Sequence, residues 1–409
     1  MFPMKPSRSA QRANELQQLD PNSWTRLLRQ NNGIADLNVV KVTTEEAAAN
    51  YTRYVLQIEG TSDPVTLVGK HTTPREAYFY RELLDRRPLL APHCWLTHIT
   101  EQRAWIVLSD TPHDKVPSEW RYGDVSAMVH DLAHQHATYW GRRDLLLAQE
   151  WLPFLLGRER KTRKSRSMRK TYPEWSPQTV SEHAMQTVQG LAPRWLEAAN
   201  GLNTLLDLDG WQGVVGEKQL RAMGDLLDDP LPMLHPLREL PLTLVHGYPG
   251  QFNWRVSVLD TRYLVDWQEV AIGPGVCDLM AFIETFGLLQ DEQMNWHARE
   301  KWPLAEETII DEYILSISAE LGNDAQTRDL RRAIPAARCL YILLTWLPRF
   351  NHWFSQLPND PIARRDIWQA ISTYDEADLS GTLYQPIAGL RPYLRSTFTR
   401  FLRSYYQLS

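Results

Sequence analysis

The 409-residue sequence predicts an α+β fold in two lobes, a small antiparallel β-sheet lobe followed by a large, mostly helical one. Three observations carry this expectation. Between residues 37 and 108 the apolar residues fall in short β-branched and aromatic runs punctuated by turn residues. Beyond about residue 124 they recur at helical spacing. Inside that helical part, residues 242–268 revert to short apolar strands around a loop rich in Gly and Pro.

In chain order, residues 22–30 form an amphipathic helix with Ser23 as its N-cap. Strands follow at Leu37–Val42, Tyr51–Ile58 and Pro64–Lys70, the last two separated by the turn Glu59–Asp63. Pro74, acceptable in a first helical turn, opens a helix to Asp85. Leu96–Ile99 and Ala104–Leu108 complete a five-stranded sheet. Asp124–Trp140 has apolar residues at 125, 128, 129, 132, 133 and 137, a helical period. Further helices are expected at Ser181–Asn200, Glu217–Leu227, Asp278–Leu288, Ala305–Leu321, Ala325–Phe350, Arg364–Tyr374 and Arg391–Tyr406. Residues 158–170 carry eight basic groups and one acidic, the pattern of an exposed insertion. The expected division is an N-terminal extension and helix (1–30), a β-rich lobe (31–110), and a helical lobe (111–409) holding the 242–268 hairpin and the basic insertion.

Composition narrows the function classes. A hydrophobic fraction of 43% with 23% charged residues is that of a soluble globular protein. A net charge of −5 argues against nucleic acid or an anionic membrane as the partner of the whole chain. Met1–Arg12 is polar and lacks the apolar core of a secretory leader. The longest apolar run, Cys339–Leu347, is about half what a bilayer requires and is bounded by Arg338 and Pro348, so no membrane span is expected. Cys94, Cys277 and Cys339 are far apart and cannot all pair, which suits reduced thiols in a cytoplasm.

The most informative stretch is Leu244-Val245-His246-Gly247-Tyr248-Pro249-Gly250-Gln251-Phe252-Asn253, with Asp266 thirteen residues beyond Asn253 at the end of the strand Tyr263–Val265. The spacing presents an amide and a carboxylate at the ends of neighbouring strands, a donor pair suited to holding Mg²⁺ against phosphates. Alone, Asp266 would be a strand-end cap or turn former; with Asn253 it is a candidate metal ligand.

Around this stretch stand Lys70, Glu76-Ala-Tyr-Phe-Tyr-Arg-Glu-Leu83, Leu132-Ala-His-Gln-His-Ala137, His246-Gly-Tyr with Asn253, Asp266-Trp-Gln268 and Asp278-Leu279. In order and approximate spacing, from about residue 20 to 290, the chain resembles the aminoglycoside phosphotransferase and choline kinase branch of the protein-kinase-like fold, and within it the ecdysteroid-kinase-like group. The resemblance implies a bilobal fold and ATP- and Mg²⁺-dependent transfer of a phosphoryl group to a hydroxyl of a small molecule. On that footing Lys70 would hold the α- and β-phosphates and Glu76 would pair with it. Only six residues separate those two, which keeps Glu82 as the alternative. Asn253 and Asp266 would hold Mg²⁺. The Val107–Thr111 segment, with Ser109 and Asp110, would meet the adenine through its backbone. His246 would be structural, and Asp278 a brace for the loop or a helix N-cap.

Two departures from the family pattern stand out. The Thr43–Asn50 stretch between the first two strands carries no glycine. Tyr248 stands where the carboxylate that accepts the hydroxyl proton should be. A phenol, with an ordinary pKa near ~10, is a poor general base at neutral pH, and loss of such a base costs roughly 10²–10⁴-fold in rate. Two readings follow: a phosphotransferase, or a catalytically impaired relative that binds nucleotide or metabolite and acts through protein partners. A third, a zinc hydrolase, rests on His130 and His134 at i, i+4 spacing, for which no third ligand is evident.

Overall fold

In a computed structural model, residues 19–48, 51–84, 90–112, 114–157, 180–290, 296–322, 327–373 and 384–408 are described. The basic run 158–170 lies outside them. The chain divides into two compact units, Met1–Val116 with Asn253–Val270, and Pro117–Phe252 with Ala271–Ser409. The second half of the 242–268 segment, which the sequence pattern sets in the helical part, therefore groups with the β-rich unit.

Helix α1 (Pro21–Asn32) opens the first unit. Its N-cap is Asp20, whose carboxylate accepts a hydrogen bond from the Ser23 backbone N–H at 3.0 Å. Ser23, the cap expected from sequence, lies inside the first turn, because Pro21 already supplies the helical φ at the first position. Strands β1 (Val39–Ala48), β2 (Tyr51–Ile58), β3 (Val65–Thr72), β4 (Cys94–Ile99) and β5 (Ala104–Ser109) form one antiparallel sheet in the order β1-β2-β3-β5-β4. Strand β1 runs well past its expected end at Val42. Its Thr43, Thr44 and Glu45 pair with Val55, Tyr54 and Arg53, so most of the expected loop is ladder. β-branched residues opposite a partner strand favour this outcome.

The two faces of β3 do different work because successive strand residues point to opposite sides. Leu67 faces the core formed with Trp24 and Leu28 of α1 and Tyr54, Leu56, Trp105 and Val107 of the sheet. Gly69 shares that face, where a Cβ would lie 2.6 Å from Cε2 of Tyr54 and 3.1 Å from Nε1 of Trp105. Lys70 and Thr72 project from the other face, toward helix α2 (Pro74–Tyr78), which continues as a π-helical turn over Phe79–Leu83.

The second unit is mainly helical. Helix α3 (Tyr122–Tyr139) starts on a carboxylate cap in which Asp124 accepts from the Arg121 N–H at 2.7 Å. The single helix expected over Ser181–Asn200 is interrupted at Gln189–Leu191, with Pro193 in the first turn of α4 (Ala192–Asp207). Further along, β6 (Thr243–Val245) pairs with β9 (Ala271–Gly273) in this unit, whereas β7 (Trp254–Val256) pairs with β8 (Arg262–Leu264) within the first. The neighbour of the Asp266-bearing strand is thus β7, which begins after Asn253, and not the strand before the loop. Its later helices include α5 (Val276–Phe286), α6 (Glu306–Glu320), α7 (Thr327–Ser355) and α8 (Arg391–Tyr405). The fully buried Glu284 of α5 is met by Arg338 of α7 at 3.0 Å and Arg400 of α8 at 2.6 Å, which answers the cost of burying its charge. Among the described residues no helix is long and apolar enough to cross a membrane.

Because Tyr54 and Trp105 are themselves buried, neither ring has room to yield. Gly69→Ala should lower the stability of the first unit by about 1–3 kcal/mol, the usual cost of overpacking. Urea unfolding followed by tryptophan fluorescence measures this; an unshifted midpoint would contradict the packing described.

Candidate functional site

Lys70 and Glu76 meet because only Thr73 separates the strand from the helix. Lys70 is near the end of β3, Thr73 caps α2, and Glu76 occupies the first turn, its backbone N–H donating to Thr73 Oγ1 at 3.4 Å. Nζ of Lys70 then reaches Glu76 Oε2 at 2.7 Å and Oε1 at 3.0 Å. Glu82, the alternative partner, pairs instead with Arg81 at 2.8 Å. The same ammonium donates to Asp266 Oδ1 at 2.6 Å.

Glu76 is fully buried, and a buried carboxylate is tolerated only when its oxygens are answered. Besides Lys70, it accepts from the Thr72 hydroxyl and from the backbone N–H of Trp267 at 3.0 Å. Burial alone would push the Lys70 ammonium down, but Glu76 and Asp266 beside it hold its pKa above the ordinary lysine value. Burial pushes the Glu76 carboxyl up from the ordinary glutamate value, against the pull of Lys70 and the Thr72 hydroxyl.

Asp266 lies just beyond β8 with φ at +69°, a left-handed conformation that Asp adopts more readily than most residues. Trp267 fixes the turn that carries it. The Trp267 ring stacks on Phe79 at 4.1 Å between centroids, and its Nε1–H donates to the Leu264 carbonyl at 2.8 Å. Gln268 Nε2 donates to Asp266 Oδ1 at 2.7 Å, so Lys70 and Gln268 share one oxygen. Among the described residues Oδ2 takes no hydrogen bond, and the side chain is 36% exposed.

Asn253 precedes β7 and is joined to this end of the hairpin by the Val265 N–H, which donates to the Asn253 carbonyl at 2.9 Å. An amide and a partly exposed carboxylate on adjacent strand ends are hard oxygen donors. They fit Mg²⁺, which takes one or two protein ligands and fills its shell with phosphate and water.

Ser109 and Asp110 end β5. Their backbone N–H groups donate to the carbonyls of His93 (2.8 Å) and Thr66 (3.1 Å). Their side chains are also engaged, Ser109 by the indole of Trp95 at 2.8 Å and Asp110 by Arg53 at 3.1 Å.

In the second unit, Asp278 on the first turn of α5 holds the His246 loop by its backbone. Its Oδ2 accepts from the His246 N–H at 2.6 Å and its Oδ1 from the Gly247 N–H at 2.9 Å. His136 of α3 sits 3.2 Å from Asp278 through Nε2 and 2.8 Å from the Tyr313 hydroxyl of α6 through Nδ1. A Cβ on Gly275 would lie 2.6 Å from His136 Nδ1 and would also strike the Tyr313 hydroxyl, so only glycine fits there. His246 is buried, and its Nδ1 accepts from the Tyr248 N–H at 3.3 Å. Tyr248 itself is partly buried.

Sequence reasoning assigned no role to Thr72, Gln268, His136 or Tyr313. Thr72 is readable as the next residue on the Lys70 face of the strand, and His136 as four residues beyond Leu132 on the buried face of α3. Nothing in sequence points to Tyr313. His130 and His134 are bound to α6, by Ser316 at 2.6 Å and Glu320 at 3.0 Å. No group of three or more His, Cys, Asp or Glu side chains among the described residues is placed to hold a metal ion, which removes the basis of the zinc reading.

Removing one partner of a buried ion pair strands the other charge. Lys70→Met should therefore cost about 3–5 kcal/mol. Lys70→Met/Glu76→Gln, which neutralises both, should recover part of that loss in the same urea unfolding measurement. A double variant less stable than Lys70→Met would overturn this account of the pair.

No protein-family profile matches the chain, and no curated protein matches it. Solved structures that it resembles include an ethanolamine kinase from Plasmodium vivax (11% identity, TM-score 0.44, covering 91% of this chain and 97% of that one). They also include an aminoglycoside phosphotransferase from Alicyclobacillus acidocaldarius (12%, 0.42, covering 90% and 92%). A third is a choline/ethanolamine kinase family protein from Mesorhizobium loti (12%, 0.40, covering 95% and 99%). Similarity of this degree carries no substrate or activity over to this chain; its chemistry must come from its own side chains.

Proposed function

We propose that the chain binds ATP with Mg²⁺ through its β-rich unit and transfers a phosphoryl group to a hydroxyl of a small molecule, in the cytoplasm. The observation that carries this reading is the three-way contact of Lys70 with Glu76 and Asp266. Lys70 and Glu76 alone would satisfy a structural ion pair. The added Asp266 leaves one more carboxylate than ammonium in this contact, with an oxygen that takes no hydrogen bond among the described residues, at a site that an Mg²⁺–polyphosphate would complete.

Glu76 keeps the Lys70 ammonium charged and directed toward the α- and β-phosphates. Gln268 fixes the rotation of the Asp266 carboxylate through Oδ1 and leaves Oδ2 to the cation. Asn253 supplies the second ligand. Mg²⁺, when bound, neutralises phosphate charge in a loose transition state where positioning and electrostatics dominate.

Tyr248 supports a second reading, a nucleotide- or metabolite-binding protein with little transferase activity that acts through a protein partner. No Asp or Glu lies between His246 and Asn253 to replace the missing base, and the loop backbone ahead of Tyr248 is fixed by Asp278.

Mg-ATP at a hundredfold excess over its dissociation constant should stabilise the chain by about 2.7 kcal/mol, seen as a rise of several degrees in melting temperature. Asp266→Ala should abolish most of that rise. A parent protein that melts identically with and without Mg-ATP would sink the nucleotide reading. The second reading is tested by Tyr248→Asp, which should raise ATP hydrolysis by about tenfold or more if a missing base is what limits turnover. An unchanged rate in a variant that still binds Mg-ATP would count against that explanation.

A further inference from the structure

An ammonium has three N–H donors, and those of Lys70 are matched by three carboxylate oxygens. Nζ meets Glu76 Oε1 at 3.0 Å, Glu76 Oε2 at 2.7 Å and Asp266 Oδ1 at 2.6 Å. The side chain is 5% exposed, and the ring of Tyr51, its register partner on β2, has its centroid 5.9 Å from Nζ. In this arrangement Lys70 has no donor left for a phosphate oxygen. One contact must be given up before it can hold a ligand.

The two carboxylates are not equally able to leave. Glu76 is fully buried, and each of its oxygens takes a second donor, Oε2 the Thr72 hydroxyl and Oε1 the Trp267 N–H. Drawing it away from Lys70 would strand a buried charge and break the contacts that fix helix and turn. The Asp266 side chain is 36% exposed and keeps the Gln268 amide on the same Oδ1. Asp266 is therefore the partner that can be exchanged.

We propose that the Lys70–Asp266 contact is a built-in block on nucleotide binding: Asp266 occupies the lysine donor that a phosphate oxygen would take, and yields it when a divalent cation answers the Asp266 charge. This rests on the nucleotide reading above and adds its control. Asp266 then acts in opposite senses. Without a cation it competes with phosphate for Lys70; with one it becomes a ligand of the cation and leaves Lys70 to the phosphate. Cation and nucleotide strengthen each other's binding, because coupling between two sites is reciprocal, and metal-free nucleotide is refused.

Isothermal titration of the full chain with ATP, in EDTA and with Mg²⁺, tests this in the parent and in Asp266→Asn, since asparagine tolerates the left-handed backbone here. In EDTA, Asp266→Asn should bind ATP at least about tenfold more tightly than the parent, the low end for a hydrogen bond to a charged group. The parent should gain at least about tenfold from Mg²⁺, and Asp266→Asn should lose most of that gain. A variant that binds metal-free ATP no better than the parent overturns the proposal. Removing a carboxylate also ends plain repulsion of the polyphosphate, so the comparison is repeated in Lys70→Met/Glu76→Gln. In that background Asp266→Asn should change ATP affinity in EDTA by less than about threefold; the same gain with and without Lys70 overturns the block. If that background binds too weakly to titrate, the Lys70 ammonium resonance in a nitrogen-15 spectrum, assigned through Lys70→Arg, decides. Mg-ATP should shift it in the parent, and an unmoved resonance in the saturated protein overturns the exchange. A parent that binds ATP in neither condition brings down the nucleotide reading itself, whereas one that binds equally well in both brings down the block alone.

Discussion

The buried carboxylate of Glu76 is the constraint on which the β-rich unit depends. An ionised group with no exposure is stable only if its environment supplies opposite charge and hydrogen-bond donors. The chain supplies both from three places. Lys70 and Thr72 come from one face of β3, and the Trp267 N–H comes from a turn 191 residues further along. Satisfying one carboxylate thereby brings strand, helix and distant turn together. That closure delivers Asp266 to the Lys70 ammonium.

The second unit uses the same device in another place. Asp278 is nearly inaccessible and takes the N–H groups of His246 and Gly247, with His136 Nε2 meeting the same Oδ2 that accepts from His246. Backbone donors suit the task because they carry no side-chain entropy to lose. They also hold the loop whatever side chain comes next. The backbone that leads into Tyr248 is thereby held by Asp278.

Much of this was legible in sequence, though unevenly. The five-stranded sheet and the long helices were readable because β-branched runs and helical periodicity are local signals. Boundaries failed where tertiary pairing overrode local preference. β1 extended through Thr43–Glu45 because β2 offered a partner, and β7 went unseen because three residues are too few to show a period. The D-W-Q triplet was visible, but the bond from Gln268 to Asp266 was not, since it depends on the left-handed backbone at Asp266. The two histidines that suggested zinc face a helix nearly two hundred residues away, a pairing that no local pattern encodes.

Sequence by itself determined which chemical groups the chain owns and roughly where each sits on its strand, loop or helix. It also carries the expectation, drawn from the resemblance, that Tyr248 stands in the place of a carboxylate. Only the tertiary structure decided which groups meet. Glu76 and not Glu82 faces Lys70, because the cap at Thr73 sets the phase of the helix relative to the strand. The strand pair between Asn253 and Asp266 belongs with the β-rich unit, because its contacts are made by residues far away in the chain. Spacing fixes phase along one element; partners across elements are chosen by burial, and burial is a property of the folded whole.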